Sequence, residues 1–236
     1  MGKALDIQLR VIPSKIANPF VDRVHYSGKH VNNSQLHFGA FQDGMLHGVM
    51  SFGPPMDKSK VIHIVEGTPW NGMIELNRMA FDNSLPKNSE SRCISVAMKL
   101  LKKKAPQIKW VLSFADACSC GDGTIYRASN FILTQIKPNS QTARLPSGEE
   151  IARMTIESNL ATPRKELDWK TPSQLTADKR YWEAYLKYTK AKMIQGYMLR
   201  YVYFIDKKWR DRLTVPEIPY SKIDEMGAGM YKGERK

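Results

Sequence analysis

The stretch from Met73 to Leu133 constrains the fold of this chain more than any other. An apolar segment, residues 73–81, leads through a polar loop into an amphipathic helix, and a second apolar segment follows at residues 108–114. The apolar side chains of the helix recur with helical spacing, at Ile94, Ala97, Met98 and Leu101. A glycine loop then precedes a short helix beginning near Thr124. In open α/β sheets ligands bind at the carboxyl ends of the strands, so we expect the functional site at that edge.

The segments on either side extend this unit into a larger sheet. Upstream, residues 5–12 predict a first strand, and two short strands flank Asp43-Gly44, which is a strong hairpin signal. Downstream, residues 131–136 and 151–156 predict the last strands of the main sheet. The predicted class is α/β (α+β), a mixed central sheet flanked by helices. Its order of elements resembles that of the GNAT acyltransferase fold.

The organisation of the chain changes near residue 156. Residues 1–156 are expected to form the GNAT-like catalytic domain. Residues 157–236 are expected to form a linker and then a basic helix and strand extension packed on that domain. The helix is predicted to run from Thr176 to Met193, and the strand from Tyr197 to Ile205.

The charge of the chain favours a polyanionic partner. The 236 residues include 36 basic and 23 acidic side chains, a formal net charge of +13. One C-terminal stretch combines cations with an aromatic ring and predicts contact with DNA; its residues are Lys207, Lys208, Trp209, Arg210 and Arg212.

Other compositional signals exclude several classes of protein. No apolar run reaches the roughly 18 residues of a membrane span, so we expect no membrane partner. The three cysteines, Cys93, Cys118 and Cys120, form neither a disulfide framework nor a zinc knuckle pattern.

The loop before the long helix is a candidate anion site. Five polar residues are the candidate donor-binding groups: Arg78, Asn88, Ser89, Ser91 and Arg92. In GNAT enzymes this loop holds the pyrophosphate of acyl coenzyme A. Here residues 85–92 contain no glycine, which disfavours close approach of the backbone to phosphate. Acetyl coenzyme A and other acyl donors therefore both stay open.

Five motifs carry a resemblance to a known family. HYSGK, ELNRMAF, NSESR, SFAD and CGDGTIYRASNF occur in this order, at spacings that resemble the Mom family of bacteriophage DNA-modification enzymes. The resemblance implies a GNAT-like transferase that adds a small amide-containing group, of the acetamido or methylcarbamoyl type, to adenine N6 in phage DNA. Such a modification protects the DNA from host restriction. The implied partner is double-stranded DNA with a flipped adenine, and the implied location is the cytoplasm of the bacterial host.

The resemblance also implies a set of site residues. The family has been proposed to bind iron through a His-Tyr pair, an aspartate and a tyrosine, which are His25, Tyr26, Asp116 and Tyr126 here. Imidazole, carboxylate and phenolate groups suit iron. Asp116, Tyr126 and Tyr26 are also catalytic candidates, because Tyr126 could return a proton to the leaving group without a metal. Alternatively, Asp116 and Tyr126 tie strand to helix by a hydrogen bond, and His25 and Tyr26 are merely a helix end.

Two other functions stay open on the sequence. A conventional GNAT N-acetyltransferase would use acetyl coenzyme A on a peptide or small amine. A non-enzymatic basic protein would bind DNA through charge alone. The donor, the recognition sequence and the oligomeric state are not determined by the sequence.

Overall fold

The computed structural model describes residues 6–231 and 233–235. They form two compact units: a larger unit up to Ile136 and from Leu199 onward, and a smaller unit, Lys137–Met198. The expected boundary at residue 156 falls inside the smaller unit.

Twelve strands and seven α-helices make up these units. The strands are β1 (Gln8–Ile12), β2 (Leu36–Gln42), β3 (Met45–Gly53), β4 (Met73–Phe81), β5 (Trp110–Ala117), β6 (Ile132–Pro138), β7 (Thr142–Arg144), β8 (Glu150–Ala152), β9 (Lys192–Met193), β10 (Tyr197–Phe204), β11 (Met230–Tyr231) and β12 (Glu234–Arg235). The helices are α1 (Ser14–Val24), α2 (Lys58–Val61), α3 (Ser89–Lys104), α4 (Thr124–Ala128), α5 (Arg153–Glu157), α6 (Tyr181–Thr189) and α7 (Ser221–Glu225). Shorter 3-10 helices cover Ile62–Ile64, Lys165–Leu167, Pro172–Leu175 and Lys207–Arg212.

A seven-stranded mixed sheet forms the centre of the larger unit, in the order β1-β2-β3-β4-β5-β10-β6. The first four strands pair antiparallel, and β4 pairs parallel with β5. The predicted α/β class, a central sheet with flanking helices, is confirmed. The predicted strand at residues 197–205 is also confirmed, and it inserts between β5 and β6. The first strand begins at Gln8, and Leu5, where it was predicted to start, lies outside the described residues.

The apolar stripe predicted for helix α3, formed by the side chains that recur with helical spacing, is packed into the core. Ile94, Ala97, Met98 and Leu101 are each at most 3% exposed. Burial of such side chains stabilises a helix more than its intrinsic propensity does. The stripe therefore anchors the loop at the start of α3 to the sheet.

Strands β4 and β5 pair only along their amino-terminal halves. The ladder joins Met73–Leu76 to Trp110–Ser113, and in the described structure it ends there. At the last pair the Ser113 hydroxyl donates to the Leu76 carbonyl at 2.9 Å. The carboxyl-terminal halves of the two strands are not hydrogen-bonded to each other. We call the region around the point where this ladder ends the cleft.

In the smaller unit a three-stranded sheet, β8-β7-β9, packs with α5 and α6 around Leu167, Trp182 and Tyr185. The prediction that residues 151–156 form a strand of the main sheet is wrong. Glu150–Ala152 pairs with β7, and the chain then turns into α5. Helix α6 is shorter than predicted, because Lys179 and Lys190 adopt left-handed conformations on either side of it. In the part of the chain that the structure describes, no helix is long and apolar enough to cross a membrane.

Candidate functional site

Two motifs that lie far apart in sequence meet at the cleft. The Tyr26 hydroxyl donates to Asp116 Oδ2 at 3.3 Å, across 90 residues of chain. Tyr26 follows α1 and is 51% exposed, whereas Asp116 lies at the carboxyl end of β5. The His25 ring lies against the Tyr26 ring, with the centroids 4.3 Å apart. The structure thus brings together three of the predicted site residues.

Backbone contacts hold both halves of this pair. Arg78 on β4 donates its Nε–H to the Lys29 carbonyl at 2.9 Å, which ties the loop after α1 to the sheet. Asp116 Oδ1 accepts from the Cys118 N–H at 2.9 Å, and the Asp116 carbonyl accepts from Cys120 and Gly121. The carboxylate is therefore held by its own loop, with Oδ2 turned to Tyr26.

Tyr126, on α4, lies close enough to Tyr26 to influence the pKa of its phenol. It is 8% exposed, and its ring contacts Phe131 and Tyr201 at centroid distances of 5.2 and 5.3 Å. Burial raises the pKa of its phenol to about 12, although a hydrogen bond with Ser113 opposes that shift. The phenol therefore stays protonated at neutral pH and can donate a proton.

The turn before Tyr126 permits only limited substitution. Gly123 has φ of 81°, and a Cβ there would meet the Tyr201 ring at 2.4 Å. Asp122, which is 1% exposed, accepts from the Thr124 N–H at 3.1 Å and from its hydroxyl at 2.8 Å. Asp122 thus fixes the first turn of α4 and, with it, the position of Tyr126.

Glu75 is a site residue that the sequence analysis missed. A bulge at Asn77 breaks the alternation of β4, because Ser51 pairs with Arg78 and Phe52 with Leu76. Side chains three apart can then share a face. The charges of both Glu75 and Arg78 act on the Tyr126 phenol. Burial raises the pKa of Glu75 to about 7, and Arg78 opposes that shift. The available signal was an acidic residue in the middle part of a strand that is apolar at both ends, MIELNRMAF.

Three more groups at the site are held neutral. Burial, and then the positive charge of Arg78, lowers the pKa of His25 to about 4. Loss of solvent and the Asp116 carboxylate raise the pKa of the Tyr26 phenol. Burial and the same carboxylate raise the pKa of the Cys120 thiol. Among these groups, Glu75 therefore has the pKa closest to 7.

The four candidate iron ligands are His25, Tyr26, Asp116 and Tyr126. Their chemistry suits iron only if the two tyrosines bind as phenolates. Among residues 6–231 and 233–235, no group of three or more His, Cys, Asp and Glu could hold a metal. Tyr26 and Asp116 are in contact, and neutral His25 retains a nitrogen lone pair, while its Nδ1 lies 2.8 Å from Ser27 Oγ. A metal ion would itself favour the phenolate forms of Tyr26 and Tyr126.

Polar side chains of the predicted donor-binding loop form hydrogen bonds with the backbone of the same loop. The Ser89 hydroxyl donates to the Pro86 carbonyl, and the Ser91 hydroxyl donates to the Asn88 carbonyl at 3.1 Å. Asn88 takes the N-cap position with φ of 71°, but its side chain makes no capping bond. The start of a long helix suits an anion through its backbone N–H groups, so the fit to a pyrophosphate lies in the backbone and not in these hydroxyls. Arg78, held at the Lys29 carbonyl, lies instead near Tyr26. We call the group of side chains around Tyr26 the cleft cluster; its members are His25, Tyr26, Glu75, Arg78, Asp116 and Tyr126.

The predicted DNA-binding stretch lies toward the amino end of β5. The N–H groups of Ile205 and Asp206, which precede Lys207–Arg212, donate to the Lys109 carbonyl at 2.9 and 3.1 Å. Lys109 immediately precedes β5, and Asp116 lies near its other end, about 20 Å along an extended strand. DNA that contacts both regions would therefore have to span most of the length of the strand.

Comparison with known proteins identifies related sequences. The model of the Mom protein family matches residues 6–222. The methylcarbamoylase Mom of Escherichia phage Mu is 38% identical over 126 residues, which are 53% of this chain and 52% of that protein. The chain thus matches about half the length of this curated relative.

Several solved structures that show partial similarity to the chain are acetyltransferases. The spermidine/spermine N-acetyltransferase of Vibrio cholerae is 7% identical, with a TM-score of 0.48, and the match covers 89% of this chain and 99% of that one. The ribosomal-protein-S18-alanine N-acetyltransferase of Escherichia coli is 10% identical, with a TM-score of 0.42 and coverage of 84% and 94%. An acetyltransferase from Bacillus subtilis in complex with CoA is 11% identical, with a TM-score of 0.43 and coverage of 84% and 97%. These similarities do not bear on donor or substrate.

Proposed function

The chain belongs to the Mom protein family, and we propose that it is an enzyme that transfers a small amide-containing group to N6 of adenine in DNA. The observation that carries the proposal is the contact of Tyr26 with Asp116, next to Glu75 and Tyr126. It joins an exposed aromatic ring, two carboxyl groups and a protonated phenol in one cleft. The relative in phage Mu is named a methylcarbamoylase, which is consistent with a methylcarbamoyl-type group.

The acceptor sets the chemical requirements of the site. The lone pair of adenine N6 is delocalised into the ring, so the amine is a poor nucleophile and needs a base. In duplex DNA the amine is also paired, so the base must be flipped out of the stack. The exposed Tyr26 ring, backed by His25, offers a stacking surface at the mouth of the cleft.

We assign the proton transfers to two residues. Glu75, with a pKa of about 7, takes the proton that N6 loses as it attacks the donor carbonyl. Tyr126 returns a proton to the leaving group, because its phenol stays protonated up to about pH 12. Asp116 holds the Tyr26 hydroxyl and stabilises the positive charge that develops on N6.

The donor is proposed to be an activated acyl compound bound at the start of α3. The first turn of that helix, which includes Arg92, is the proposed binding site for an anionic carrier such as coenzyme A, through its backbone N–H groups.

Basic residues are proposed to hold the DNA backbone. Lys207, Lys208 and Arg212 are exposed on the 3-10 helix, while Arg210 is paired with Glu217. We therefore expect Lys207, Lys208 and Arg212 to contribute more to phosphate binding than Arg210 does.

An iron site at His25, Tyr26, Asp116 and Tyr126 is proposed as an alternative use of the same residues, in which Tyr26 and Tyr126 would be phenolate ligands and Tyr126 would not donate the proton. Bound iron would supply Lewis acidity toward a carbonyl oxygen. We expect protein purified without chelators to contain iron, and Tyr26→Phe to lose it, because each phenolate is needed to complete the set. Elemental analysis of both proteins measures this; equal iron in the wild type and in Tyr26→Phe would contradict the assignment.

Mass spectrometry of nucleosides tests the proposed function. DNA from bacteria that express the chain is expected to yield a modified deoxyadenosine that is absent with an empty vector. An unmodified adenine pool would contradict the proposal. Turnover of acetyl coenzyme A on amines, without any effect on DNA, would instead support the acetyltransferase alternative. Salt-sensitive DNA binding with no modified base would support the non-enzymatic alternative.

A further inference from the structure

A cavity of about 690 Å³ lies at the amino end of β4, outside the cleft cluster. Trp70 and Met56 line it and are 63% and 65% exposed. Three side-chain amides also line it, from Gln35, Asn71 and Gln107. An open indole ring offers a stacking face for any base, and amides can donate to and accept from the edge of a base.

A cation accompanies the exposed ring. Lys58 Nζ lies 4.8 Å from the centroid of Trp70, over its face. The neighbouring Asp57 carboxylate is paired with Lys60 at 2.5 Å. A nucleotide that stacks on the face of Trp70 opposite Lys58 would have its phosphate within reach of this ammonium.

A second pair of a cation and an aromatic ring, Arg212 and Trp209, lies next to the backbone at Glu66. Arg212 Cζ is 4.5 Å from the Trp209 ring centroid, and the Arg212 carbonyl accepts from the Glu66 N–H at 2.8 Å. Between the two pairs, a smaller cavity of about 430 Å³ is lined by His63 and Gly67 and shares Trp70 with the first. Lys58, His63, Trp70, Trp209 and Arg212 together form what we call the Trp70 surface.

We propose that the Trp70 surface binds an unpaired segment of nucleic acid, with one base stacked on Trp70 and flanking phosphates on Lys58 and Arg212. The chain has a net charge of +13, and here cations alternate with aromatic rings, which is the arrangement that single strands use. Duplex binding through phosphates alone would leave the exposed Trp70 ring without a role.

This surface deepens the proposed function and depends on it only for the identity of the nucleic acid. Flipping a base out of duplex DNA leaves unpaired nucleotides beside the target. Ile74 lines the cavity, and the next residue along β4 is Glu75 of the cleft cluster. An unpaired segment of nucleic acid held at Trp70 would therefore lie against β4, the β-strand that carries Glu75, the proposed general base.

Fluorescence anisotropy tests the proposal with a labelled thymidine oligonucleotide of about 12 nucleotides. We expect Trp70→Ala to weaken binding about 10-fold, because one stacked base is lost, and Trp70→Phe to restore most of the affinity. Trp169→Ala is the matched control, since Trp169 is 72% exposed in the smaller unit, and it should bind like the wild type. A duplex of the same length should be almost insensitive to Trp70→Ala.

Unchanged affinity of Trp70→Ala for the single strand, with a folded variant by circular dichroism, would overturn the proposal. Equal losses for Trp70→Ala and Trp169→Ala would do the same. The binding assay needs no turnover, so failure of the proposed reaction would appear only in the nucleoside analysis. A uridine oligonucleotide that binds as well as thymidine would show that the surface accepts RNA and DNA alike.

Discussion

Asp116→Asn is expected to lower the rate of adenine modification about 1,000-fold while the fold is retained. The change keeps the shape of the side chain but removes the charge that accepts from the Tyr26 hydroxyl. The positive charge developing on N6 then has no fixed counter-charge at this point of the cleft. The initial rate of appearance of modified deoxyadenosine after induction measures the effect.

The control for this variant is Asp224→Asn. Asp224 is exposed on α7, outside the cleft cluster, so its loss of charge should leave the rate unchanged. Thermal unfolding should be similar for both variants. A rate for Asp116→Asn within a few-fold of that for Asp224→Asn would remove Asp116 from the site.

Glu75→Gln is expected to lower the rate about 100-fold near pH 8 and to abolish its dependence on pH. In the wild type the base must be ionised, so the rate should rise with pH through about 7 and then level off. The falling limb from Tyr126 lies near pH 12, beyond the useful range. Rates of purified protein between pH 5 and 9 test this; the rising limb must vanish in Glu75→Gln and persist in Glu183→Gln, whose side chain is exposed.

The same substitution should stabilise the protein at high pH. The pKa of Glu75 is about 7 in the folded state against 4.5 for an unperturbed glutamate, so the folded chain binds more protons between those values. The free energy of unfolding therefore falls as pH rises from 4.5 to 7, by up to about 3 kcal/mol. Relative to wild type, Glu75→Gln should gain stability at pH 8 and not at pH 4. Urea unfolding at both pH values measures it, and an equal effect at both would contradict a buried, ionised Glu75.

Much of the fold could be predicted because local patterns and packing agree. The stripe of α3, the Asp43-Gly44 hairpin and the buried β5 each carry a periodic or turn signal that tertiary structure reinforces. The smaller unit was harder to predict, because short strands such as β8 have almost no periodicity. Its helix also begins after a left-handed lysine, which sequence does not reveal.

The site was predictable only in part. Tyr26 and Asp116 were paired through a resemblance and meet in the structure, although they are 90 residues apart. Glu75 was missed because a bulge at Asn77 alters which side chains of β4 share a face, and a bulge leaves little trace in one sequence. The hydroxyls of Ser89 and Ser91 have the right chemistry for an anion, but the turn at Asn88 directs them to backbone carbonyls.

The most direct test of the cleft as active site is a double-mutant cycle on modification rate, with Asp116→Asn, Tyr26→Phe and the combined variant. Tyr26→Phe alone should lower the modification rate about 10-fold, because the ring remains while the hydrogen bond to Asp116 is lost. If the two side chains act as one unit, the combined variant loses no more rate than Asp116→Asn does alone. Losses that multiply, as for two independent residues, would contradict the account.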